Sequence, residues 1–254
     1  AVSLPVAHAK KVTKTILDWN GDEAARKDDN ATILGISLEH PLAHIEDAKP
    51  SEESWKDLAY DDVDTFRDLQ KDAQGLIKVI DVDATHEGIE TYVRETSKDA
   101  VVAIVDNDAT FAQAEKAIKA GATLVSAPWA ERIQLDDKKP GVIDAAFKND
   151  GVFVELVASE DNGSKKDIVA NFALLQDRVV LVSEDGNLFD AMKRAIEMGV
   201  PAPVAINAAS LTPALATKQE GKVGSLEDGR LANIILVDSS YHIKHVINRG
   251  KMIL

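Results

Sequence analysis

Three carboxylates stand in comparable places in this sequence. Glu39 follows the apolar run Ile33–Leu38, Asp106 follows Val101–Val105, and Glu184 lies two residues past Val179–Val182. If those runs are neighbouring strands, the three acids meet at one end of a sheet, where an all-oxygen set suits magnesium, calcium or manganese better than zinc. Three unrelated acids in solvent have the same spacing, and a carboxylate at a strand end also serves to cap the next turn. The histidine pairs offer less. His40 and His44 are four apart, but Pro41 between them opposes the helix that would turn both rings toward one ion. His242 and His245 fall on opposite faces of a tail strand by alternation. Ser183 has no histidine near it in sequence, and Gly186 does not complete a nucleophile elbow, so serine hydrolysis has no support. Lys138 sits in Asp136-Asp-Lys-Lys139, which reads equally as a self-compensating solvated loop. With no cysteine in the chain, disulfides, thiolate metal sites and cysteine nucleophiles are all excluded.

Such groups need a frame, and short β-branched runs alternate here with longer segments of helical period. The runs are Ile33–Leu38, Leu76–Val82, Val101–Val105, Ala122–Ser126, Val152–Val157 and Val179–Val182. That alternation predicts parallel strands joined by crossover helices, and continuously apolar runs predict strands covered on both faces. The clearest helix is Thr110–Ala120, capped by Asp108 or Thr110 and stopped by Gly121. Asn187–Met198, Val63–Asp72 and Lys10–Trp19 carry the same periodicity. After about Gly221 the text becomes turn-rich, and Asn233–Val237, Tyr241–Asn248 and Lys251–Leu254 predict short antiparallel strands. The acidic stretch Ser51–Asp64 reads as a solvated loop and helix face.

Composition narrows the partners. A chain of 254 residues with net charge −14 and no basic block repels nucleic acid and anionic membrane surfaces. The 45% hydrophobic and 28% charged residues are those of an ordinary folded protein, long enough for an α/β barrel. Ala1 to Ala9 show no basic leader, and no run reaches the length of a membrane span. The expectation is a soluble, cytoplasmic protein.

A family becomes visible in the tail. Ala208-Ala-Ser-Leu-Thr-Pro-Ala-Leu-Ala216, then Gly224-Ser-Leu-Glu-Asp-Gly-Arg-Leu-Ala-Asn-Ile-Ile-Leu-Val-Asp238 and Val246-Ile-Asn-Arg-Gly-Lys251, resemble the close of amidohydrolase-superfamily enzymes. Ile33-Leu-Gly-Ile-Ser-Leu-Glu-His-Pro41 and the segment Asp106 to Thr123 look like the N-acetylglucosamine-6-phosphate deacetylase family, and Ser3-Leu-Pro-Val6 resembles the end of its second barrel strand.

The resemblance implies an α/β, (β/α)8 TIM-barrel-like fold of the metallo-dependent hydrolase type. The first strand would lie before Ala1, residues 1–220 would form the barrel, and 221–254 would form the C-terminal β segment of a small sandwich-like domain. It also implies metal-assisted hydrolysis of the amide of an N-acetylated amino-sugar phosphate, with a divalent metal as cofactor. By position, Glu39 corresponds to the family's metal-binding glutamate and Asp106 to a metal-binding histidine. Ala127 replaces the next metal histidine, and Ala130 and Glu131 replace a substrate-contacting Asn-Ala pair. Asn162 falls where a substrate-contacting histidine is expected, Lys138 at the phosphate-binding arginine, and Glu184 at the aspartate that transfers the proton. No His-x-His occurs, and the family's excursion between Glu184 and Asn187 is missing. Two expectations follow: a deacetylase homologue that is weakly active or inactive, or a non-catalytic barrel that binds a sugar phosphate or serves in assembly. A homodimer is expected, because the family inserts its phosphate-binding basic residue into the neighbouring subunit's site.

Overall fold

The computed structural model describes residues 2–5, 13–18, 33–39, 62–105, 108–126, 139–159, 164–183 and 186–254. Seven strands form one sheet: β1 (Val2–Pro5), β2 (Ile36–Glu39), β3 (Ile77–Val82), β4 (Val101–Val105), β5 (Leu124–Ser126), β6 (Phe153–Val157) and β7 (Val179–Val182). They lie side by side in chain order, every pair parallel. Helices cross between them, α1 (13–18), α2 (Val63–Asp72), α3 (Ile89–Thr96), α4 (Phe111–Ala120), α5 (Val142–Lys148) and α6 (Lys165–Leu175), and α7 (Leu188–Met198) follows β7. Two short helices follow, α8 (Ala202–Ala208) and α9 (Leu211–Ala216).

The apolar runs divide by alternation between two cores. Toward the helices, Ile36, Leu38, Ile80, Val82, Val102, Ile104, Val154 and Leu181 pack with Phe66, Val93, Ile168 and Phe172. On the other face Val79, Val101, Ala103, Leu124 and Val180 form a second cluster, with Phe153 and Val182 against it. Val79 belongs to β3 and Val180 to β7, with three strands between them, so the sheet curls round to bring them together. This is a partial TIM barrel with a filled lumen. Ala216, at the end of α9, joins that cluster.

Local chemistry sets the helix ends. Thr110, not Asp108, caps α4 in a reciprocal box with Gln113, and Ser164 does the same for α6 with Asp167. Gly121 ends α4 at φ 130°, a conformation open to a residue without Cβ. Behind α9 the chain presses close at Gly224, where φ is 100° and a Cβ would lie 2.7 Å from that of Ala214.

The tail forms a three-stranded antiparallel sheet of β8 (Ile234–Val237), β9 (Ile243–Asn248) and β10 (Lys251–Met252), in the order β10-β9-β8. The strands are slightly shorter than the sequence runs, because Asp238 takes its turn in hand. Its carboxylate accepts from the amides of Ser240 and His242, and its backbone amide donates to the His242 carbonyl. Those contacts and Lys244 hold the Asp238 carboxyl well below the usual range. Among the described residues, no helix is long and apolar enough to cross a membrane.

Candidate active site at the strand ends

Parallel pairing puts the C-terminal ends of all seven strands on one side, where α/β barrels carry their chemistry. Glu39 is the last residue of β2 and pairs in register with Pro5 of β1. Asp106, Lys138, Asn162 and Glu184 lie outside the described residues. In sequence Asp106 directly follows β4, and Glu184 follows β7 after Ser183. The acidic stretch Ser51–Asp64 is described only from Asp62, which caps α2 by accepting from the Asp64 amide.

The described part of the site is a polar layer resting on the inner apolar cluster. Alternation from Val79 to Asp81, Leu124 to Ser126 and Phe153 to Glu155 turns all three polar side chains toward the lumen. Ser126 Oγ lies 3.4 Å from Asp81 Oδ2 and 3.3 Å from Glu155 Oε2. Asp81 is 8% exposed and Ser126 7%. A single hydroxyl proton serves only one carboxylate at a time, so Ser126 of β5 bridges acids of β3 and β6 in one polar layer. Just beyond β3, Asp83 is also buried. Its Oδ1 accepts from the Thr85 amide at 2.8 Å, and its Oδ2 stands 3.6 Å from His86 Nδ1.

Sequence reasoning missed Asp81, Ser126, Glu155 and the Asp83–His86 pair. The signal was present: Asp81 interrupts the apolar run Ile77–Val82, and Glu155 interrupts Phe153–Val157. A charged residue inside a strand buried on both faces is costly without partners, so it marks a built polar contact. Among the described residues, no group of three His, Cys, Asp or Glu side chains is placed to hold a metal ion.

A curled parallel sheet with crossover helices and a polar layer defines a partial α/β barrel, and the chain belongs to the amidohydrolase family, whose model matches residues 64–253. Two of its relatives are deacetylases of amino-sugar phosphates. The N-acetylglucosamine-6-phosphate deacetylase of Bacillus subtilis (strain 168) is 26% identical over 224 residues, 86% of this chain and 52% of that protein. The N-acetylgalactosamine-6-phosphate deacetylase of Escherichia coli O157:H7 is 22% identical over 262 residues, 87% of this chain and 68% of its own. The chain therefore spans about half the length of the first relative. Among solved structures, the N-acetyl-D-glucosamine-6-phosphate deacetylase from Mycobacterium smegmatis superposes with a TM-score of 0.81 at 17% identity, covering 100% of this chain and 74% of that one. The enzyme from Pasteurella multocida gives a TM-score of 0.78 at 16% identity, with 98% and 74% covered. At such identities the superpositions establish the fold.

Proposed function

We propose that this chain forms the barrel of a protein that binds an N-acetylated amino-sugar phosphate and deacetylates it weakly or not at all. The supporting observation is a mismatch: an alignment with a deacetylase runs through 86% of the chain, yet the residue directly after β5 is Ala127, whose methyl group donates to nothing. In this reading Glu184 is the proton-transfer group, Lys138 and Asn162 hold the sugar phosphate, and Glu39 and Asp106 are the oxygen donors left at the metal positions. Lysine neutralises a phosphate as a point charge without the bidentate fork of arginine, so binding is weak. Residues 1–220 make the barrel part, and 221–254 make the smaller β unit. A protein of this kind works in the cytoplasm as a homodimer.

A second reading, a non-catalytic barrel acting in assembly, is favoured by the tail sheet. Ile235 is 49% exposed, Leu236 44% and Met252 54%, so both faces of this small sheet bare apolar side chains that a partner could cover. Calorimetric titration with N-acetylglucosamine 6-phosphate, run beside an acetate-release assay, separates the two. Binding with little or no acetate supports the first reading. No heat at millimolar ligand leaves the assembly role, and turnover that Glu184→Gln abolishes restores a working enzyme.

A further inference from the structure

Zinc and iron centres in hydrolases are built on imidazole nitrogen or thiolate, with carboxylates completing the set. In a parallel barrel those ligands come from the C-terminal strand ends. Here β2 ends on Glu39, β3 is followed by Asp83, β4 by Asp106, β5 by Ala127, β6 by Ala158-Ser159 and β7 by Ser183-Glu184. In sequence these positions carry carboxylates, hydroxyls and methyl groups, and within β3, β5 and β6 Asp81, Ser126 and Glu155 add only oxygen donors. Four of the chain's six histidines follow β1, β2 and β3 in sequence, and two lie in the tail. His8 comes three residues after β1, His40 directly after Glu39 at the end of β2, and His44 four residues further on. His86 sits beside Asp83 beyond β3, with 41% of its side chain exposed. In the tail sheet, His242 Nδ1 is 3.2 Å from Asp238 Oδ2, and His245 Nδ1 is 3.2 Å from the Leu254 carbonyl. No histidine lies between Asp106 and Ser240, the stretch that follows β4, β5, β6 and β7.

We infer that this barrel does not build the zinc or iron centre that its family's chemistry implies, and that the loss lies at the ends of β4 and β5, where Asp106 and Ala127 stand. The choice of those two positions rests on the family reading above; the donor chemistry does not depend on whether a sugar phosphate binds. The test loads the purified chain with excess zinc, removes loosely held ion by dialysis, and counts the metal by mass spectrometry beside the double variant Asp106→His, Ala127→His. The wild-type chain retains less than about a tenth of an equivalent. The double variant, with Glu39 completing a set of three ligands, rises at least about tenfold toward one zinc per chain. Loaded with cobalt(II) instead, it develops the visible absorption of a nitrogen-and-oxygen site that the wild type lacks. A full equivalent of zinc on the wild-type chain overturns the inference. So does a double variant that folds, by circular dichroism, yet holds no more metal than the wild type, since the two positions would then not be ligand positions. Titration with the sugar phosphate reads the binding proposal separately, because neither metal outcome requires the sugar to bind.

Discussion

Glu115 faces two ammonium groups at once: Lys148 of α5 at 2.8 Å and Lys119, one turn along α4, at 2.9 Å. Lys148 also lies 4.9 Å from the centroid of the Phe111 ring, so one cation ties the two helices together by charge and by ring contact. Hydrogen bonds from Lys148 and then Lys119 pull the Glu115 carboxyl from its ordinary 4.5 down to about 2. A carboxylate whose folded pKa lies below its unfolded one stabilises the fold fully above the unfolded value, and that stabilisation is lost as the pH falls through the window between the two. Urea unfolding of Glu115→Gln should therefore match the wild type more closely at pH 2 than at pH 6; an equal deficit at both would remove the ion pairs as its cause. Residues of this kind were only partly legible in the sequence. Glu115 and Lys119 are readable as a helical pair, but Lys148 joins them from 33 residues away, and no local pattern announces that contact. Asp81 and Glu155 were hidden for the opposite reason: their strands read as apolar runs, and one acid inside each looked like noise.

At the scale of elements, Arg178 shows what holds successive units together. Its Nη1 donates toward the carbonyls of Ala146, Asn149 and Val152, at 2.9, 3.1 and 3.0 Å, closing the C-terminal end of α5 and the turn into β6 from the threshold of β7. Removing the guanidinium leaves three carbonyls competing for fewer donors, so Arg178→Met should lower unfolding stability by about 1.5–3 kcal/mol, the range for hydrogen bonds to a charged group. Chemical denaturation measures this directly, and a change within error would show that water replaces the clamp. The strands themselves were readable, because burial on both faces enforces long β-branched runs that no surface strand keeps. The helices were less so. Amphipathic α2, α4 and α7 stood out, whereas α5 is only seven residues, and α8 and α9 each carry proline near the start, which reads as a breaker although the first turn tolerates it.

The whole molecule leaves surface that asks for a partner. β1 and β7 are the two edges of the seven-stranded row among the described residues, and Ile235, Leu236 and Met252 are exposed on the tail sheet. Unpaired edges and apolar faces recruit other chains. Under the homodimer proposed above, light scattering should return about twice the 27.4 kDa of one chain; a single-chain mass at every practical concentration would remove the dimer. The order of the row has a further consequence, for the way the protein is made. Among the described residues each strand of the row pairs only with those immediately before and after it in sequence, so a strand emerging from the ribosome should meet a partner already made, with a helix to cover it before the next strand arrives. Along this row of seven, synthesis and assembly run in the same direction.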